Sequence, residues 1–452
     1  MKKNNNKILI ILGIVLLNVL VLYMIGQSLL GKESQYDITL KEARSYAKQE
    51  LCFKSIEKYN EAIIIKDSLD VRLEMIDVYE KGIDIGEFEN LYDVFTAVST
   101  MVDEYKNETK AYEKACSLFM KYGKYDECAN LLMRARDCKV TSKEIEELRK
   151  EVRYQYTKYY AMYTDILPSY DGMYTVQTEG EYAFVNNEGS PELDANYTAA
   201  SSFCEGYAFV KASHSEGTER AFIINKNGER QVYLKDVESS SGVGVAKNKE
   251  GDKLLLLSCK VGDKYKYFNM AGKEVFGEYA FAGRFRNNVA AVMESEGKWK
   301  LIDGTGKTIV NKVFEDVILN EFDECAPKGL IFAKDNGKYH IYDYKGKQIG
   351  DFSCDDAKAF VDDYAAFKDG EKWGFVDSKG KIIIDPQYDD AKSFSYNMGG
   401  VKVNEGWVFI NPSNEIVIDE NFEDVDYLNE KGICFVKNDD YWSYLKMYYA
   451  GK

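Results

Sequence analysis

The feature that most constrains the fold is a motif that recurs seven times between residue 169 and the C-terminus. Aligned on one turn position, the copies bring together six glycines and one asparagine that lie 34 to 44 residues apart. Three residues before each turn position stands Asn or Asp, and seven residues before it stands an aromatic residue in six copies, with Ala221 in the seventh. The turn column consists of Asn186, Asn225, Asn269, Asp303, Asp343, Asp377 and Asn411. The aromatic column consists of Tyr182, Tyr265, Trp299, Tyr339, Trp373 and Trp407, and Trp442 follows in register for an eighth unit that then stops.

Each copy reads as three short strands separated by turns. In the turn, the Asn or Asp side chain bonds to its own backbone and glycine takes a positive φ. A single unit of this size cannot bury its aromatic residue alone, so the units must stack. The pattern therefore predicts a propeller-like ring of about seven units, with an open β-solenoid as the alternative. The strand at residues 173–176 and the strand around Trp442 are complementary, and their pairing would close the ring.

The motif resembles the WG-repeat family, also called KWG repeats. The resemblance is best in Lys-Trp-Gly-Phe-Val-Asp-Ser-Lys-Gly-Lys at residues 372–381 and continues through Pro-Gln-Tyr-Asp-Asp-Ala at residues 386–391. The copies around Trp299 and Trp407 lack the glycine after Trp, and the remaining copies lack the Trp. This resemblance covers about 280 residues and implies a repeated β domain, but it implies no reaction.

From residue 36 to residue 163 the chain has no proline and very little glycine, and its apolar residues recur at helical spacing. Residues 123–129, Gly-Lys-Tyr-Asp-Glu-Cys-Ala, resemble the inter-helix turn of tetratricopeptide repeats, and residues 86–91 form a weaker copy. The resemblance implies a short helical solenoid whose concave face can hold a partner segment. A generic helical hairpin array explains the pattern nearly as well. As a role, a spacer that lifts the next domain off the membrane is the alternative to binding a partner segment.

Residues 8–30 form one apolar run that is long enough to cross a bilayer as a helix. Lys2, Lys3 and Lys7 precede it, which favours a cytoplasmic N-terminus and an extracytoplasmic body. The run therefore predicts a single-pass signal anchor in the cell membrane. A cleaved signal peptide and a body that faces the cytosol are the alternatives, and the free cysteines favour the latter.

Composition limits the chemistry. The net charge of −16 opposes nucleic-acid binding. The two histidines, His214 and His340, have no convincing Ser or Cys partner, and no two of the nine cysteines have the Cys-x-x-Cys spacing of a zinc site. Acidic pairs, such as those at residues 355–356 and 389–390, look like solvated loops rather than catalytic carboxylates. No catalytic residue, metal or cofactor is therefore expected.

The sequence predicts a multidomain α + β protein with a short cytoplasmic tail (1–7), a transmembrane anchor (8–30), a tetratricopeptide-like helical domain (31–165) and a WG-repeat β domain (166–452). The favoured function is a non-enzymatic, membrane-anchored binding or scaffold protein of the bacterial cell envelope. Its partner is expected to be a protein or a cell-wall polymer, and its oligomeric state is left open. The alternatives are a glycan-acting enzyme with carboxylates on the face of the ring, and a structural spacer.

Overall fold

The computed structural model describes residues 31–213 and 218–448, and the chain divides into two compact units, Met1–Val152 and Arg153–Lys452. Over the described residues the first unit is helical and the second consists of β-strands. The boundary lies near residue 153, because the strand over residues 156–163 belongs to the β unit although its sequence continues the proline-free region.

Seven helices form the described part of the first unit. They are α1 (31–48), α2 (Cys52–Ile65), α3 (Leu69–Asp84), α4 (Tyr92–Glu104), α5 (Thr109–Lys121), α6 (Tyr125–Asp137) and α7 (Lys143–Arg153). The apolar faces of α1, α2 and α3 meet in one buried cluster that includes Ala43, Ile56 and Met75. Gly86 and Gly123 have φ values of 77° and 67° and end α3 and α5. After each, a backbone N–H bonds five residues back, which is the usual closure of a helix at a left-handed residue.

The predicted anchor at residues 8–30 lies outside the described residues. No helix within residues 31–213 and 218–448 is long and apolar enough to cross a membrane. The prediction of a single-pass membrane protein, with its cytoplasmic N-terminus and extracytoplasmic body, is therefore corrected: over the residues that it describes, the structure supports no transmembrane helix. The described helices have one apolar face each; α7, for example, buries Ile145, Leu148 and Val152 among charged residues.

The second unit is a β-propeller with eight blades, each an antiparallel sheet. Blade 1 contains β2 (Asp165–Tyr170), β3 (Met173–Thr178), β4 (Glu181–Asn186) and β5 (Pro191–Tyr197), and blade 2 contains β6 (Ala199–Ala200), β7 (Tyr207–Ser213), β8 (Glu219–Asn225) and β9 (Arg230–Leu234). Blade 3 contains β10 (Ser239–Lys247), β11 (Lys253–Val261), β12 (Lys264–Asn269) and β13 (Glu274–Tyr279). Blade 4 contains β14 (Phe281–Ala282), β15 (Ala290–Ser295) and β16 (Lys298–Ile302). Where blade 4 would have a fourth strand, residues 308–314 pair with β16 through two isolated bridges.

Blades 5 to 8 complete the ring. Blade 5 contains β17 (Asp316–Val317), β18 (Leu330–Asp335), β19 (Lys338–Asp343) and β20 (Gln348–Cys354), and blade 6 contains β21 (Asp356–Ala357), β22 (Tyr364–Asp369), β23 (Lys372–Asp377) and β24 (Ile382–Tyr388). Blade 7 contains β25 (Asp390–Ala391), β26 (Gly399–Val403), β27 (Gly406–Ile410) and β28 (Ile416–Phe422). Blade 8 contains β29 (Asp424–Val425), β30 (Ile433–Asn438), β31 (Tyr441–Met447) and β1 (Tyr156–Tyr163).

The prediction of about seven units is wrong, because the incomplete unit at Trp442 becomes a full eighth blade. Its fourth strand, β1, comes from the start of the β unit, and Tyr156 pairs with Met447 while Tyr163 pairs with Trp442. The expected closure through residues 173–176 is not the one observed, since β3 pairs with β2 and β4 inside blade 1. The β1–β31 pairing removes the open edge of the last sheet.

Each blade packs on the next through apolar residues of its sheet faces. Between blades 6 and 7, Phe375 and Ile384 share a buried cluster with Val401 and Ile410. Because consecutive strands are antiparallel, the loop after the first strand and the turn after the third strand lie at the same end of every blade. That end carries the Asn/Asp turns and is called the Asx face below; the opposite end carries the turns between second and third strands.

Candidate functional site

The residues of the turn column occupy equivalent turns on the Asx face. In all seven turns the Asn or Asp Oδ1 accepts hydrogen bonds from the backbone N–H groups two and four residues later, as Asp377 does from Lys379 at 2.9 Å and Lys381 at 2.8 Å. Asn248, Asn320 and Asn429 make the same pair of bonds in other loops, which sequence alignment missed. These side chains satisfy backbone donors, and we propose that this is their role.

The residues of the aromatic column lie on the third strand of their blades, close to its start. Tyr339, Trp373, Trp407 and Trp442 are buried, whereas Tyr182, Tyr265 and Trp299 are half-buried. Lys358 Nζ lies 4.9 Å from the centroid of the Trp373 ring, and Lys392 Nζ lies 5.6 Å from that of Trp407. We propose that these aromatics stabilise the blades, since a lysine over an indole contributes about 0.5–1 kcal/mol beyond the burial.

The acidic pairs in the connections between blades have structural partners. Asp355 forms an ion pair with Lys338 at 2.6 Å, and Asp356 accepts a hydrogen bond from the backbone N–H of Ala357 at 2.8 Å. Asp390 repeats the second contact in the next blade. These carboxylates are engaged in the scaffold, so a catalytic pair has no support among them.

The buried cysteines and the histidines also offer no reactive nucleophile among the described residues. Burial raises the pKa of Cys259, Cys325 and Cys354 to about 12, so these thiols stay protonated at neutral pH. His340 Nδ1 lies 3.0 Å from the carbonyl oxygen of Phe352, and His214 lies outside the described residues. Within the described ranges no three His, Cys, Asp or Glu side chains are grouped to hold a metal ion.

A buried ion pair lies where loops of the neighbouring blades 4 and 5 meet on the Asx face. Arg284, from the β14–β15 loop of blade 4, is 1% exposed, and its Nε lies 3.5 Å from Oε1 of Glu324 in the β17–β18 loop of blade 5. Arg284 also donates from Nη1 to Ser202 Oγ of blade 2 at 2.6 Å and lies over the ring of Tyr170 from blade 1. One guanidinium therefore joins four blades near the centre of the ring.

Tyr170 completes this central network. Its hydroxyl donates to Glu324 Oε1 at 2.6 Å and accepts from Arg286 Nη1 at 2.7 Å. Its ring meets that of Phe322 edge-on at 4.7 Å. Burial and the neighbouring carboxylate of Glu324 raise the pKa of Tyr170, so its hydroxyl keeps its proton and remains a donor. Because blades 1 and 5 are opposite each other in an eight-bladed ring, these contacts cross its centre.

A large cleft on the β unit opens beside this network. It has a volume of about 1130 Å³ and is lined by loops of blades 2, 3, 4 and 5 on the Asx face. One wall is the hairpin between β10 and β11 of blade 3, where the repeat spacing of 44 residues indicates an insertion. A second depression of about 350 Å³ lies at the centre of the ring, and Arg286 and Lys328 line both cavities.

The walls of the cleft are fixed by short polar contacts. Asn288 Oδ1 accepts hydrogen bonds from the backbone N–H groups of Lys247 at 2.7 Å and Gly304 at 3.2 Å, and so joins blade 3 to two segments of blade 4. Asn287 Nδ2 donates to the carbonyl oxygen of Ala326 in blade 5 at 2.9 Å. Gly304 has no room for a side chain, since a Cβ there would lie 2.5 Å from the Lys247 carbonyl oxygen.

The cleft is basic, although the chain carries a net charge of −16. Two carboxylates contribute to its lining, Glu205 and Asp303. Burial by itself would raise the pKa of Asp303, but hydrogen bonds from Thr305 and Lys307 outweigh it and leave that pKa below its usual value. The cationic residues of the lining are Lys247, Lys253, Arg286, Lys307, Lys328 and Lys345.

The repeat pattern in the sequence does not indicate the cationic residues of this cleft. Its lysines are spread over about 100 residues and come together only when four blades are side by side. Arg284 and Glu324 are separated by 40 positions and lie in loops that carry no part of the repeat motif. The unequal repeat spacing around blade 3 was the available signal, because insertions in a repeat scaffold often form a recognition surface.

The WG containing repeat model matches residues 267–299, 341–373, 373–407 and 409–442. The resemblance to the WG-repeat family is therefore confirmed over residues 267–442, where the chain contains four matches to the WG containing repeat. The matches extend from β19 of blade 5 to β31 of blade 8, and from β12 of blade 3 to β16 of blade 4. No curated protein sequence matches the chain.

Several solved β-propeller structures are similar to this chain. BamB from Moraxella catarrhalis is 11% identical, with a TM-score of 0.42 over 64% of this chain and 99% of BamB. The WD40 domain of SCAP from fission yeast is 8% identical, with a TM-score of 0.39 over 65% of this chain and 94% of that domain. The Cps50 (Swd1) β-propeller domain from Myceliophteria thermophila is 9% identical, with a TM-score of 0.35 over 66% and 99%. At these scores the similarity supports no argument about function.

Proposed function

We propose that this WG-repeat protein is a non-enzymatic binding protein and that the cleft of blades 2 to 5 holds a segment of a partner protein. The observation that carries the proposal is the cleft itself, with a volume of about 1130 Å³ on the Asx face. A small-molecule pocket typically measures about 300–1,000 Å³ and encloses its ligand. This cleft is larger and is open to solvent, as a site for a polypeptide segment needs to be.

The fixed walls support binding over catalysis. Asn287 and Asn288 connect blades 3, 4 and 5 through side-chain hydrogen bonds, so the cleft is formed before any partner arrives. A prebuilt surface lowers the entropy cost of association. Repeat scaffolds commonly build such extended surfaces.

The carboxylates in the cleft do not favour the alternative of a glycan-acting enzyme. Glycoside hydrolysis uses one carboxyl group that donates a proton and a second that acts as base or nucleophile. Here Glu205 forms an ion pair with Lys253 at 2.6 Å, and Asp303 Oδ1 accepts from the backbone N–H of Thr305 at 2.8 Å and of Lys307 at 3.1 Å. The pKa of Asp303 is lowered, whereas a general acid needs a raised one.

Site-specific photo-crosslinking tests the proposal with a closely matched control. Lys345 and Lys379 are both exposed and occupy the same position of the Asx turn, in blade 5 beside the cleft and in blade 6 away from it. A photoreactive amino acid at position 345 is expected to crosslink a specific protein, identified by mass spectrometry and then reproduced with that purified protein. The same substitution at position 379 is expected to crosslink none.

Equal crosslinking at the two positions, or none at either, would contradict the proposal. The spacer hypothesis predicts no specific partner at either position. Recovery of a saccharide in place of a polypeptide at position 345 would favour a polymer ligand and would also contradict it.

A further inference from the structure

The cleft of blades 2 to 5 contains cations that form no direct ion pair with a carboxylate of the described residues. Lys247 and Lys307 form no ion pair with any residue in the ranges 31–213 and 218–448, and Lys345 contacts the ring of Tyr344 at 5.5 Å. Arg286 donates to the hydroxyl of Tyr170, which stays neutral. Four cations without a direct ion pair therefore face one cavity, to whose lining Asp303 and the Lys253-paired Glu205 contribute two carboxylates.

Some lysines at the edges of other blades are paired with carboxylates. Lys338 pairs with Asp355 at 2.6 Å, and Lys392 pairs with Asp424 at 3.0 Å. The lining of the cleft holds six cationic and two acidic residues, in a chain that carries 75 acidic and 59 basic residues. Like charges gathered in one cavity repel each other, and an anionic ligand removes that repulsion.

The lining also contains apolar surface. Val245 and Ile309 contribute aliphatic groups, and Tyr344 is 44% exposed beside Lys345. Exposed tyrosines are frequent anchors in protein interfaces, because they bury a large ring and keep a polar hydroxyl. A ligand that matches this lining carries both carboxylates and apolar side chains.

From this lining we infer that the cleft binds an acidic peptide segment of a partner protein, rich in Asp and Glu and interrupted by apolar residues. The inference rests on the proposed function and adds the chemistry of the partner. A long nucleic acid fits less well, because it would extend past the cleft onto a surface whose overall charge is negative. The expected contacts are ionic bonds from the unpaired lysines and burial of apolar side chains against Tyr344.

Fluorescence anisotropy with the full chain tests the inference. The probe is a labelled ten-residue peptide of Glu, Asp and Leu, and its control replaces every Glu and Asp by Gln and Asn. The acidic peptide is expected to bind at least about tenfold more tightly than the neutral one, and its affinity is expected to fall as salt is raised.

A pair of triple variants locates the site. Lys247→Glu, Lys307→Glu and Lys345→Glu together reverse the charge of the cleft. Lys235→Glu, Lys264→Glu and Lys298→Glu together make the same charge change at exposed positions at the opposite end of the blades. The cleft variant is expected to lose at least about tenfold in affinity for the acidic peptide, and the control variant is expected to lose much less. Thermal unfolding of both variants checks that they remain folded.

Three results would overturn the inference. Equal binding of the acidic and neutral peptides would show that charge does not select the ligand. Equal losses in the two variants would show that the peptide responds to overall charge only. Tighter binding of a DNA oligonucleotide, or of inorganic phosphate in competition, would assign the cleft to another anion.

The outcome for the proposed function is separate. If position 345 crosslinks a protein while the acidic peptide does not bind, the binding function stands and the acidic partner is rejected. If sedimentation shows self-association that only the cleft variant abolishes, the occupant is a second copy of this chain, and the inference of a separate acidic partner is likewise rejected.

Discussion

Blades 6 and 7 follow the repeat closely, whereas blades 2 to 5 depart from it. In blade 6 the sequence keeps Trp373 with Gly374 after it, and its lysine partner Lys358 lies over the indole. Blade 2 has Ala221 in the aromatic position, blade 3 has an extended first hairpin, and blade 4 lacks a full fourth strand. The irregular blades line the cavity of about 1130 Å³, whereas a depression beside the regular blade 7 measures about 370 Å³.

The contrast between regular and irregular blades indicates which part of the propeller forms the candidate site. Regular copies keep the aromatic, the Asx turn and the tight spacing because these features stabilise the ring. Irregular copies have relaxed those features, and their loops are joined by specific contacts, such as those of Asn288, that make a surface. Repetition marks the scaffold here, and departure from repetition marks the candidate site.

The largest loss of stability is expected from Trp373→Ala. Trp373 is 6% exposed in a regular blade, and its loss is expected to lower the free energy of unfolding of the β unit by about 4 kcal/mol. Trp299→Ala in blade 4 removes a half-buried ring and is expected to cost less. Denaturant unfolding followed by circular dichroism measures both. Equal losses of unfolding free energy in the two variants would show that blade 6 depends on its column aromatic no more than blade 4 does.

Removal of the central carboxylate is expected to cost about 3 kcal/mol. Glu324→Gln keeps the side-chain shape but leaves the buried Arg284 guanidinium without its counter-charge. The control is Glu321→Gln, an exposed neighbour that accepts a hydrogen bond from Tyr427. Tryptophan fluorescence reports the unfolding, because all four tryptophans lie in the β unit. If both variants lose the same stability, the Arg284–Glu324 pair does not join the blades.

The glycine of the Trp-Gly motif is the next test. A Cβ at position 374 would lie 2.5 Å from the carbonyl oxygen of Ile384 and 2.8 Å from the nitrogen of Pro386. Gly374→Ala is therefore expected to destabilise the β unit by about 2 kcal/mol, since the backbone must shift. Lys300→Ala, at the same position of blade 4, is expected to change stability by less than about 0.5 kcal/mol. A neutral Gly374→Ala would show that the motif does not depend on close strand approach.

The smallest expected effect is a pH dependence of the unfolding free energy, caused by Asp426 of blade 8. Asp426 occupies the position that Lys358 and Lys392 hold in blades 6 and 7, and burial raises its pKa to about 7. The unfolded carboxyl releases its proton near pH 4, so the folded state binds one more proton between about pH 4 and 7. The free energy of unfolding should therefore fall with rising pH, by about 1 kcal/mol for each pH unit in this window.

Asp426→Asn removes this contribution. Denaturant titrations of both proteins at pH 5.5 and pH 6.5 are expected to show a smaller loss of stability in the variant. Identical losses would show that Asp426 does not titrate in this range.

Much of the fold was predictable from the sequence because the repeat is local. Each Asx turn and each third strand needs only about ten neighbouring residues, and Asp377 and Trp373 carry their own signals. The eighth blade was not predictable in this way. Its fourth strand, β1, precedes β31 by nearly 280 residues and carries no repeat motif, so only the closure of the ring assigns it to that sheet.

The candidate site was not predictable for a related reason. Lys247 and Lys345 approach the same cavity because blades 3 and 5 flank blade 4, and neither lysine differs locally from any other exposed lysine. The Arg284–Glu324 pair likewise depends on loops of neighbouring blades that turn toward the centre of the ring. Contacts between blades are fixed by the ring geometry and not by the repeat.

Hydrogen exchange of the full chain, with and without a bound partner protein, tests most directly whether recognition lies on the irregular blades. Binding is expected to protect the backbone amides of residues 247–253, 303–309 and 344–347, which line the cleft. The matching turns of blades 6 and 7, at residues 377–381 and 411–415, are expected to exchange at unchanged rates. Protection confined to blades 6 and 7, or spread evenly around the ring, would contradict this account.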